Sequence, residues 1–296
     1  IVITLGPHSQ AVRDVIGERA GYALQPDARG TADAVAVALD QLDGDVEWAL
    51  VLYGDVPLID PDRLARLVDD AQAERPRIAA LAFTLDDPGS YGRFQFSGER
   101  VVGVIEAADD ATSYNGPVAC NSGIGVYQRE WLAARLPDIA SAANGELYLT
   151  ALFAMAGAEV GAPSVTLRDV PLDESSGVDD RVKLAAAERY LRKRINERLM
   201  RDGVTLVDPE HIYIDVDVVA GPDTRIEPGS VLRGATVVGE RCTIGPATVI
   251  ENSVIGSDVA IYSSWIAESV IGDRVDVGPY AHLRPGTVIE GGVHIG

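Results

Sequence analysis

The sequence is poor in lysine, in cysteine and in long apolar runs, and each shortage excludes a class of protein. Only two of the 25 basic residues are lysine, and 45 acidic residues give a formal net charge of −20, which excludes a nonspecific nucleic-acid binder. The two cysteines, Cys120 and Cys242, stand far apart without a Cys/His cluster. They indicate neither a disulfide framework nor a zinc site, and a reducing, cytoplasmic setting is expected. No run approaches the roughly 18 apolar residues of a membrane span.

The first 178 residues alternate apolar runs with alanine-rich amphipathic stretches. Strands are predicted at residues 1–5, 48–53 and 78–84, and helices at residues 9–20, 31–42 and 61–73. Because such alternation is typical of a parallel sheet covered by helices, we expect an α/β, Rossmann-like domain with a doubly wound sheet.

From about residue 212 the apolar period changes. Aliphatic residues then recur every five or six positions, at Ile226, Leu232, Val238, Ile244, Ile250, Ile255, Ile261, Ile266, Ile271, Val277, Leu283, Ile289 and Ile295. Glycine, proline or an acidic residue commonly follows them, and a small or β-branched residue often lies four positions on. This pattern predicts a parallel β-helix of hexapeptide repeats.

A long amphipathic helix is predicted between the two halves, at residues 179–201. Its apolar stripe consists of Leu184, Leu191, Ile195 and Leu199, and Gly203 is suited to end it. The predicted organisation is therefore a domain at residues 1–178, a linker helix at 179–203 and the first part of a β-helix domain at 204–296.

Carboxylates and an amide at the ends of predicted strands are the candidate site residues. Asp55 follows the strand at 48–53, where open α/β sheets bind ligands, although it could also only cap the next turn. Glu106 ends a hairpin-like segment and could accept hydrogen bonds from ligand hydroxyls. Asn121 could bond a sugar, but a turn former is the favoured interpretation of residues 120–123. Asp179 is either an acid at the start of the helix or a Mg²⁺ ligand.

In combination, these segments resemble the bacterial bifunctional N-acetylglucosamine-1-phosphate uridylyltransferase/glucosamine-1-phosphate N-acetyltransferase enzymes. The resemblance covers essentially all 296 residues. It rests on the order and spacing of Gln25 with Gly30 and Thr31, YGDVPL at 53–58, YGR at 91–93, Glu106, NSG at 121–123, GELYLT at 145–150, GVDDR at 177–181 and LRPG at 283–286.

The resemblance implies two reactions and a left-handed β-helix through which members form homotrimers. The first domain joins UTP to N-acetylglucosamine 1-phosphate, giving UDP-N-acetylglucosamine and pyrophosphate. By the resemblance, Gln25, Gly30 and Thr31 face the uracil, Tyr53, Gly54 and Asp55 line the nucleotide and metal, Gly92, Glu106 and Asn121 hold the amino sugar, and Asp55 and Asp179 bind Mg²⁺. The β-helix transfers acetyl from acetyl-CoA to glucosamine 1-phosphate, which Arg284 contacts. The product serves peptidoglycan and lipopolysaccharide synthesis.

Several features of the resembled enzymes have no counterpart in the sequence. Asp179 stands where an asparagine is usual, and Ala107 and Ala108 replace a lysine expected shortly after Glu106. The glycine-rich nucleotide loop is missing, as are the lysine, the histidine and the acetyl-CoA contacts of acetyl transfer. We therefore expect a chain cut at both ends, inactive by itself in both reactions, whose full-length parent performs both.

Two alternatives stay open at this point. One is another sugar-1-phosphate nucleotidyltransferase with a β-helix tail, such as an adenylyl or thymidylyl enzyme. The other is a noncatalytic assembly or regulatory subunit that keeps the fold without the loop. Nucleotide preference separates the first alternative from the uridylyl enzyme, and the neighbouring coding sequence separates the second.

Overall fold

The computed structural model describes residues 1–159 and 164–296, and these divide into two units. The first unit is Ile1–Asp179 and the second is Asp180–Gly296. Among the residues so described, no helix combines the length and the apolar composition needed to cross a membrane.

The first unit contains six helices and eight strands within its described residues. The helices are α1 (Gln10–Ile16), α2 (Thr31–Leu39), α3 (Pro61–Glu74), α4 (Arg129–Arg135), α5 (Ala151–Ala158) and α6 (Leu172–Ser175). The strands are β1 (Val2–Leu5), β2 (Gly21–Leu24), β3 (Trp48–Val51), β4 (Ile78–Leu85), β5 (Arg93–Ser97), β6 (Arg100–Ile105), β7 (Val118–Gln128) and β8 (Val165–Asp169). The predicted elements are present, but α1 ends four residues early, with a 3-10 turn at Gly17–Arg19 after it, α2 ends three residues early and β3 two residues early.

The predicted Rossmann-like sheet covered by helices is confirmed, but its strands are mixed in direction where a parallel sheet was expected. Its order is β6-β5-β7-β4-β8, with β3 also paired to β7, while β1 and β2 pair separately in parallel. Strand β4 is parallel to β8, but β7 runs antiparallel to β3, β4 and β5. The apolar runs show that these strands are buried on both faces, and they carry no information about the direction of a neighbour.

Strand β4 shows how the sheet is covered on both faces. Ile78, Ala80 and Ala82 pack in one apolar cluster, and the alternate residues Ala79, Leu81 and Phe83 pack in another. Successive side chains of a strand point to opposite faces, so each cluster lies on its own side of the sheet. Phe153 of α5 fills the first cluster, and Leu67 of α3 fills the second.

Residues 120–123 lie within strand β7, so the prediction of a turn there is wrong. The register of β7 against β4 shifts between Ala80 and Ala82, and Gly123 has a φ of 81°. The glycine and asparagine therefore form an irregularity inside an 11-residue strand. Such bulges re-aim side chains near sites.

The second unit contains one long helix and sixteen short strands. The helix is α7 (Arg181–Arg201). The strands are β9 (Thr205–Leu206), β10 (Tyr213–Ile214), β11 (Val219–Ala220), β12 (Arg225–Ile226), β13 (Val231–Arg233), β14 (Val237–Val238), β15 (Thr243–Ile244), β16 (Val249–Glu251), β17 (Val254–Ile255), β18 (Ala260–Ile261), β19 (Trp265–Ala267), β20 (Val270–Ile271), β21 (Asp276–Val277), β22 (His282–Leu283), β23 (Val288–Ile289) and β24 (His294–Ile295).

These strands stack into three parallel sheets, which confirms the predicted β-helix. The first sheet has the order β24-β21-β18-β15-β12-β9, the second β10-β13-β16-β19-β22 and the third β11-β14-β17-β20-β23. Each coil contributes one strand to each sheet, and aliphatic residues in register fill the interior; Ile226, Ile244 and Ile261 are fully buried. The architecture is consistent with the left-handed form.

Several small and β-branched residues that lie three or four positions after an interior aliphatic residue are buried in the coils. Thr224, Ser230, Thr236, Thr248, Ser253, Ser264 and Ser269 are all at most 5% exposed. Several of their hydroxyls donate to backbone carbonyls, for example Ser253 to Glu251 at 2.7 Å and Ser269 to Ala267 at 2.7 Å. A buried hydroxyl with such a bond carries no unsatisfied donor, which explains why serine and threonine are tolerated inside the coils.

Helix α7 packs on the first coil of the β-helix. Asp180 caps its start by accepting from the N–H of Lys183 at 2.7 Å. Ile195 and Leu199 join the β-helix core, and the buried Asn196 amide donates to the carbonyl of Pro209 at 2.8 Å. Gly203, just past the end of the helix, has a φ of 95°, which few other residues adopt.

Candidate functional site

The turn that follows β3 carries three of the predicted site residues. Tyr53 is half-buried, while Gly54 and Asp55 are exposed. The Tyr53 ring lies against Gly123 of β7, where a Cβ would overlap the ring. The irregular glycine of β7 therefore provides the space in which Tyr53 sits.

Tyr53 interacts both with a residue predicted to face the uracil and with a residue predicted to hold the amino sugar. It is hydrogen-bonded to Thr31, and Glu106 and Asp55 are near enough to act on it electrostatically. Burial raises the pKa of Tyr53, the two carboxylates raise it further, and only the bond with Thr31 acts in the opposite direction. The phenol is therefore neutral at physiological pH and can exchange hydrogen bonds with a ligand.

The start of α2 is held against the segment before α5. Gly30 caps α2 with a φ of 111°, and a Cβ there would lie 2.6 Å from the carbonyl oxygen of Leu147. The side chain of Gln25 donates to the Gly30 carbonyl at 3.1 Å, and Thr31 Oγ1 accepts from the N–H of Leu149 at 2.9 Å. The structure thus brings together the three residues predicted to face the uracil.

The three residues predicted to hold the amino sugar also converge. The carbonyl of Gly92 accepts from the N–H of Asn121 at 2.8 Å. A Cβ on Gly92 would lie 3.3 Å from Glu106 Oε2, so the glycine leaves room beside that carboxylate. A carboxylate next to a strand-borne amide offers acceptors and donors to sugar hydroxyls and to an amide.

Thr150 completes this cluster, and its role was missed in the sequence. Its hydroxyl donates to Glu106 Oε1 at 2.5 Å. Thr150 is adjacent to Leu149, which bonds Thr31, so the segment 147–150 links a residue predicted to face the uracil to a residue predicted to hold the amino sugar. The only signal in the sequence was the place of Thr150 at the end of the GELYLT motif.

A buried ion pair, also missed in the sequence, supports the segments that carry Gly92 and Glu106. Arg93 Nε lies 3.1 Å from Asp110 Oδ2, and these two side chains are only 9% and 1% exposed. The guanidinium also donates to the carbonyls of Tyr91 and Gly89, at 2.6 and 2.9 Å. Because Arg93 follows Gly92 and Asp110 lies just after Glu106, the pair fixes the two segments that carry those residues.

Asp55 and Asp179 are brought into neighbouring segments, as a shared metal ion requires. The N–H of Val178 donates to the Asp55 carbonyl at 2.7 Å, and Asp179 is the next residue. A Cβ on Gly177 would lie 3.2 Å from Asp55 Oδ2, so this glycine leaves space beside the carboxylate. Residues 1–159 and 164–296 contain no cluster of three or more His, Cys, Asp or Glu suited to a metal. Two carboxylates are nonetheless the usual protein share of a Mg²⁺ site that substrate phosphates and water complete.

Arg284, the remaining predicted site residue, belongs to the second unit. It directly follows β22 and is exposed. Its carbonyl accepts from Thr287 Oγ1 at 2.7 Å, which shapes the corner after β22.

Comparison with known proteins identifies both units. Residues 1–115 match the family described as the MobA-like NTP transferase domain, and residues 214–296 match the GMPPB C-terminal domain. The whole chain aligns with the bifunctional protein GlmU of Trichlorobacter lovleyi at 41% identity, covering 65% of that relative. GlmU of Streptococcus agalactiae serotype V is 38% identical over the whole chain, and the match covers 65% of that relative.

The chain thus spans about 65% of the length of these curated relatives. GlmU of an Exiguobacterium species is likewise 38% identical over the whole chain, and the match covers 66% of that relative. The similarity extends across both units, so the chain is GlmU-like over its whole length and carries an NTP transferase domain in its first unit.

Proposed function

We propose that the first unit is a uridylyltransferase site, which joins UTP to N-acetylglucosamine 1-phosphate and releases pyrophosphate. The observation that carries the proposal is the convergence of two residue sets through the segment 147–150. Thr31 bonds Leu149 on the nucleotide side, and Glu106 bonds Thr150 on the sugar side. A site for a sugar nucleotide needs both sets at this spacing.

The protein contributes positioning rather than a nucleophile. The phosphate of the sugar phosphate attacks the α-phosphorus of UTP, a phosphate oxygen forms the new bond, and pyrophosphate leaves. Glu106, held by Thr150, accepts from sugar hydroxyls and fixes the ring, while the backbone around Gly92 and Asn121 leaves room for the N-acetyl group. Holding two reactants in line supplies much of the rate enhancement in such reactions.

Asp55 and Asp179 are proposed to hold Mg²⁺. The bound ion supplies positive charge that offsets the triphosphate and the leaving pyrophosphate. Both side chains are exposed oxygen ligands on adjoining segments, so they fit a metal that takes oxygen ligands and keeps several waters. Asp179 carries one more negative charge than the asparagine of the resembled enzymes, which strengthens the attraction for the cation.

The 296 residues contain no glycine-rich nucleotide loop, which cradles the triphosphate through backbone N–H groups in the resembled enzymes. We therefore expect these residues alone to bind UDP-N-acetylglucosamine without synthesising it. Turnover is expected once such a loop is supplied ahead of β1.

The second unit is proposed to contribute Arg284 to acetyl transfer from acetyl-CoA to glucosamine 1-phosphate. A guanidinium is suited to the phosphate of that acceptor. The remaining groups of the acetyl site have no counterpart in the 296 residues, so Arg284 supplies binding and not chemistry here.

The third sheet of the β-helix supports the proposal of a homotrimer. Its outward residues form the valine ridge, which consists of Val219, Val237, Val254, Val270 and Val288. These side chains are between 40% and 72% exposed, and the second residue after each is a glycine, at positions 221, 239, 256 and 272, except in the last coil. A flat, continuous apolar ridge of this kind is typical of a subunit interface.

Selectivity among sugar nucleotides tests the proposed uridylyl site. We expect the chain, with Mg²⁺ present, to bind UDP-N-acetylglucosamine at least about tenfold more tightly than UDP-glucose or ADP-glucose in calorimetric titrations. A Glu106→Gln variant removes the negative charge and replaces one carboxylate oxygen with an NH2 donor, so it is expected to bind more weakly, while Glu99→Gln, in the hairpin turn, serves as the control. Preference for ADP-glucose would favour another nucleotidyltransferase, and the absence of binding by all three sugar nucleotides would favour a noncatalytic subunit.

A further inference from the structure

The second sheet of the β-helix has an exposed aromatic pair on its outer surface. Trp265 of β19 is 50% exposed although Ile266 beside it is fully buried, so its side chain points outward. His282 of β22 lies opposite Trp265 in the next coil, and the two ring centroids are 5.9 Å apart with the planes tilted by 40°. The pair forms a broad apolar and aromatic surface in a chain with only 6% aromatic residues.

A guanidinium with no partner lies next to this pair along the chain. Arg284 is two residues after His282, so the alternation of side chains places it on the same outer surface. Across the parts of the chain that the structure describes, no hydrogen bond or ion pair involves its guanidinium, although its carbonyl accepts three hydrogen bonds. Trp265 and Ala267 hold the equivalent positions in the preceding coil, and the small Ala267 side chain leaves space near Arg284.

The other outward positions of the same sheet differ from this corner. In the two coils before this corner, the outward positions equivalent to Trp265 and His282 are Val231 and Val249, and those equivalent to Ala267 and Arg284 are Arg233 and Glu251. In the first coil the outward residue is Tyr213, whose ring lies 4.4 Å from the guanidinium of Arg192 on α7. A solvent-exposed indole beside an unpaired guanidinium therefore occurs at one end of the sheet. It is not a repeated feature of the coils.

We propose that Trp265 and His282 form a platform for the ring of a sugar phosphate whose phosphate is bound by Arg284. The C–H face of a pyranose ring packs on an aromatic face, and a guanidinium binds a phosphate through paired, charge-assisted hydrogen bonds. The inference rests on the proposed role of this unit in binding an amino-sugar phosphate. It goes further by assigning two specificity-determining residues, Trp265 and His282, that recognise the sugar ring.

The surface chemistry favours a sugar phosphate over a second copy of the chain at this place. The valine ridge on the third sheet is uncharged and continuous over five coils, as an interface between copies requires. The Trp265 surface instead places a cation beside two rings, and burying that cation against another protein without a partner would be costly.

Ligand-observed NMR with three probes separates ring recognition from phosphate recognition. The probes are glucosamine 1-phosphate, glucosamine and inorganic phosphate, each titrated against the chain. We expect glucosamine 1-phosphate to bind most tightly and its ring protons to show saturation transfer from the protein. The Trp265→Leu substitution is expected to lower the affinity for glucosamine 1-phosphate by about tenfold and to leave the affinity for inorganic phosphate unchanged.

Two further variants complete the test. Arg284→Gln is expected to lower the affinity for both glucosamine 1-phosphate and inorganic phosphate. Arg233→Gln, at the equivalent outward position near the other end of the sheet, is expected to change neither affinity. If Trp265→Leu binds glucosamine 1-phosphate as the wild type does while Arg284→Gln does not, the platform is overturned and the proposed role of Arg284 stands. Absence of saturable binding by the wild type overturns both. A change in sedimentation mass in Trp265→Leu, with sugar-phosphate binding unchanged, would show that a second copy covers the surface.

Discussion

At the scale of single residues, the site in the first unit depends on glycines, because their missing side chains leave space for functional groups. Gly123 makes room for the Tyr53 ring, Gly92 for the Glu106 carboxylate and Gly177 for the Asp55 carboxylate. Each of these glycines faces a residue proposed to touch a ligand. A Cβ at any of them would move a functional group, so the glycines are part of the site.

Replacement of Gly123 by alanine tests this dependence. Gly116→Ala is the matched control, because Gly116 also has a positive φ but a Cβ there would meet no atom within 4 Å. We expect both variants to be strained and Gly123→Ala to lose about 1–3 kcal/mol more stability, because its Cβ overlaps the Tyr53 ring. Thermal unfolding measures the difference, and equal losses in the two variants would contradict the proposed contact.

The buried ion pair predicts a dependence of stability on pH. The hydrogen bond from Tyr114, the bonds from Thr112 and the nearby Arg93 guanidinium hold the pKa of Asp110 below its usual range. A carboxyl whose pKa is lowered by folding stabilises the protein above its unfolded pKa and loses that contribution as the pH falls through its folded pKa. The Asp110→Asn variant is therefore expected to be clearly less stable than the wild type near pH 7 and to approach it below about pH 4.

Asp109→Asn serves as its control, since Asp109 is exposed and neighbours Asp110 in the chain. We expect this variant to follow the wild type across the pH range in thermal melts. A pH-independent gap between Asp110→Asn and the wild type would show that the lost contribution is steric and not ionic.

Sequence reasoning identified residues with a motif and missed those that act only through contacts. Asp55, Tyr53 and Glu106 follow strands at motif positions, and the structure places them in one site. Thr150 and Arg93 were missed, because a threonine bonded to Glu106 and an arginine bonded to Asp110 depend on partners 44 and 17 positions away. No local pattern reveals such pairs.

At the scale of elements, the β-helix was predictable because each coil repeats the same requirements. An aliphatic residue fills the interior in every strand, and small residues turn the corners. Strand β7 was harder to predict, since its glycine and asparagine suggested a turn although its neighbours on both sides hold it in a sheet. Tertiary pairing overrode the local preference there.

An interior and an exterior residue of neighbouring strands should differ sharply in their effect on stability. Ile250 is fully buried in β16, and Val254 of β17 is 49% exposed. We expect Ile250→Ala to cost about 2–5 kcal/mol, because it leaves a cavity between stacked coils. Val254→Ala is expected to change the stability of the isolated subunit by less than about 0.5 kcal/mol. Denaturant unfolding at low protein concentration compares them, and similar losses would contradict the assigned orientation.

At the scale of the whole molecule, the two units are proposed to bind different anionic substrates with different groups. The acidic chain has a net charge of −20, and an acidic protein that handles anionic substrates must neutralise them locally. Asp55 and Asp179 with Mg²⁺ are proposed to do so in the first unit, and Arg284 in the second. The sequence indicated this division through its change of period, but it could not indicate the mixed strand order or the valine ridge.

The valine ridge predicts how the chain assembles. A lysine at Val254 places a charge in the middle of the ridge, so we expect Val254→Lys to reduce a trimer to monomers in sedimentation experiments. Thr205→Lys is the control, because Thr205 is exposed at an outward position of the first sheet. A wild-type chain that sediments as a monomer would contradict the proposed interface, as would a trimer that survives the Val254→Lys substitution.

The central claim is that the first unit is a metal-dependent sugar-nucleotide site built around Asp55. Calorimetric titration of UDP-N-acetylglucosamine into the chain, with and without Mg²⁺, tests it most directly. We predict that Mg²⁺ tightens binding to the wild type and to the control Asp69→Asn, whose carboxylate is exposed on α3, but has no effect on Asp55→Asn. Equal enhancement by Mg²⁺ in Asp55→Asn and the wild type would contradict the account.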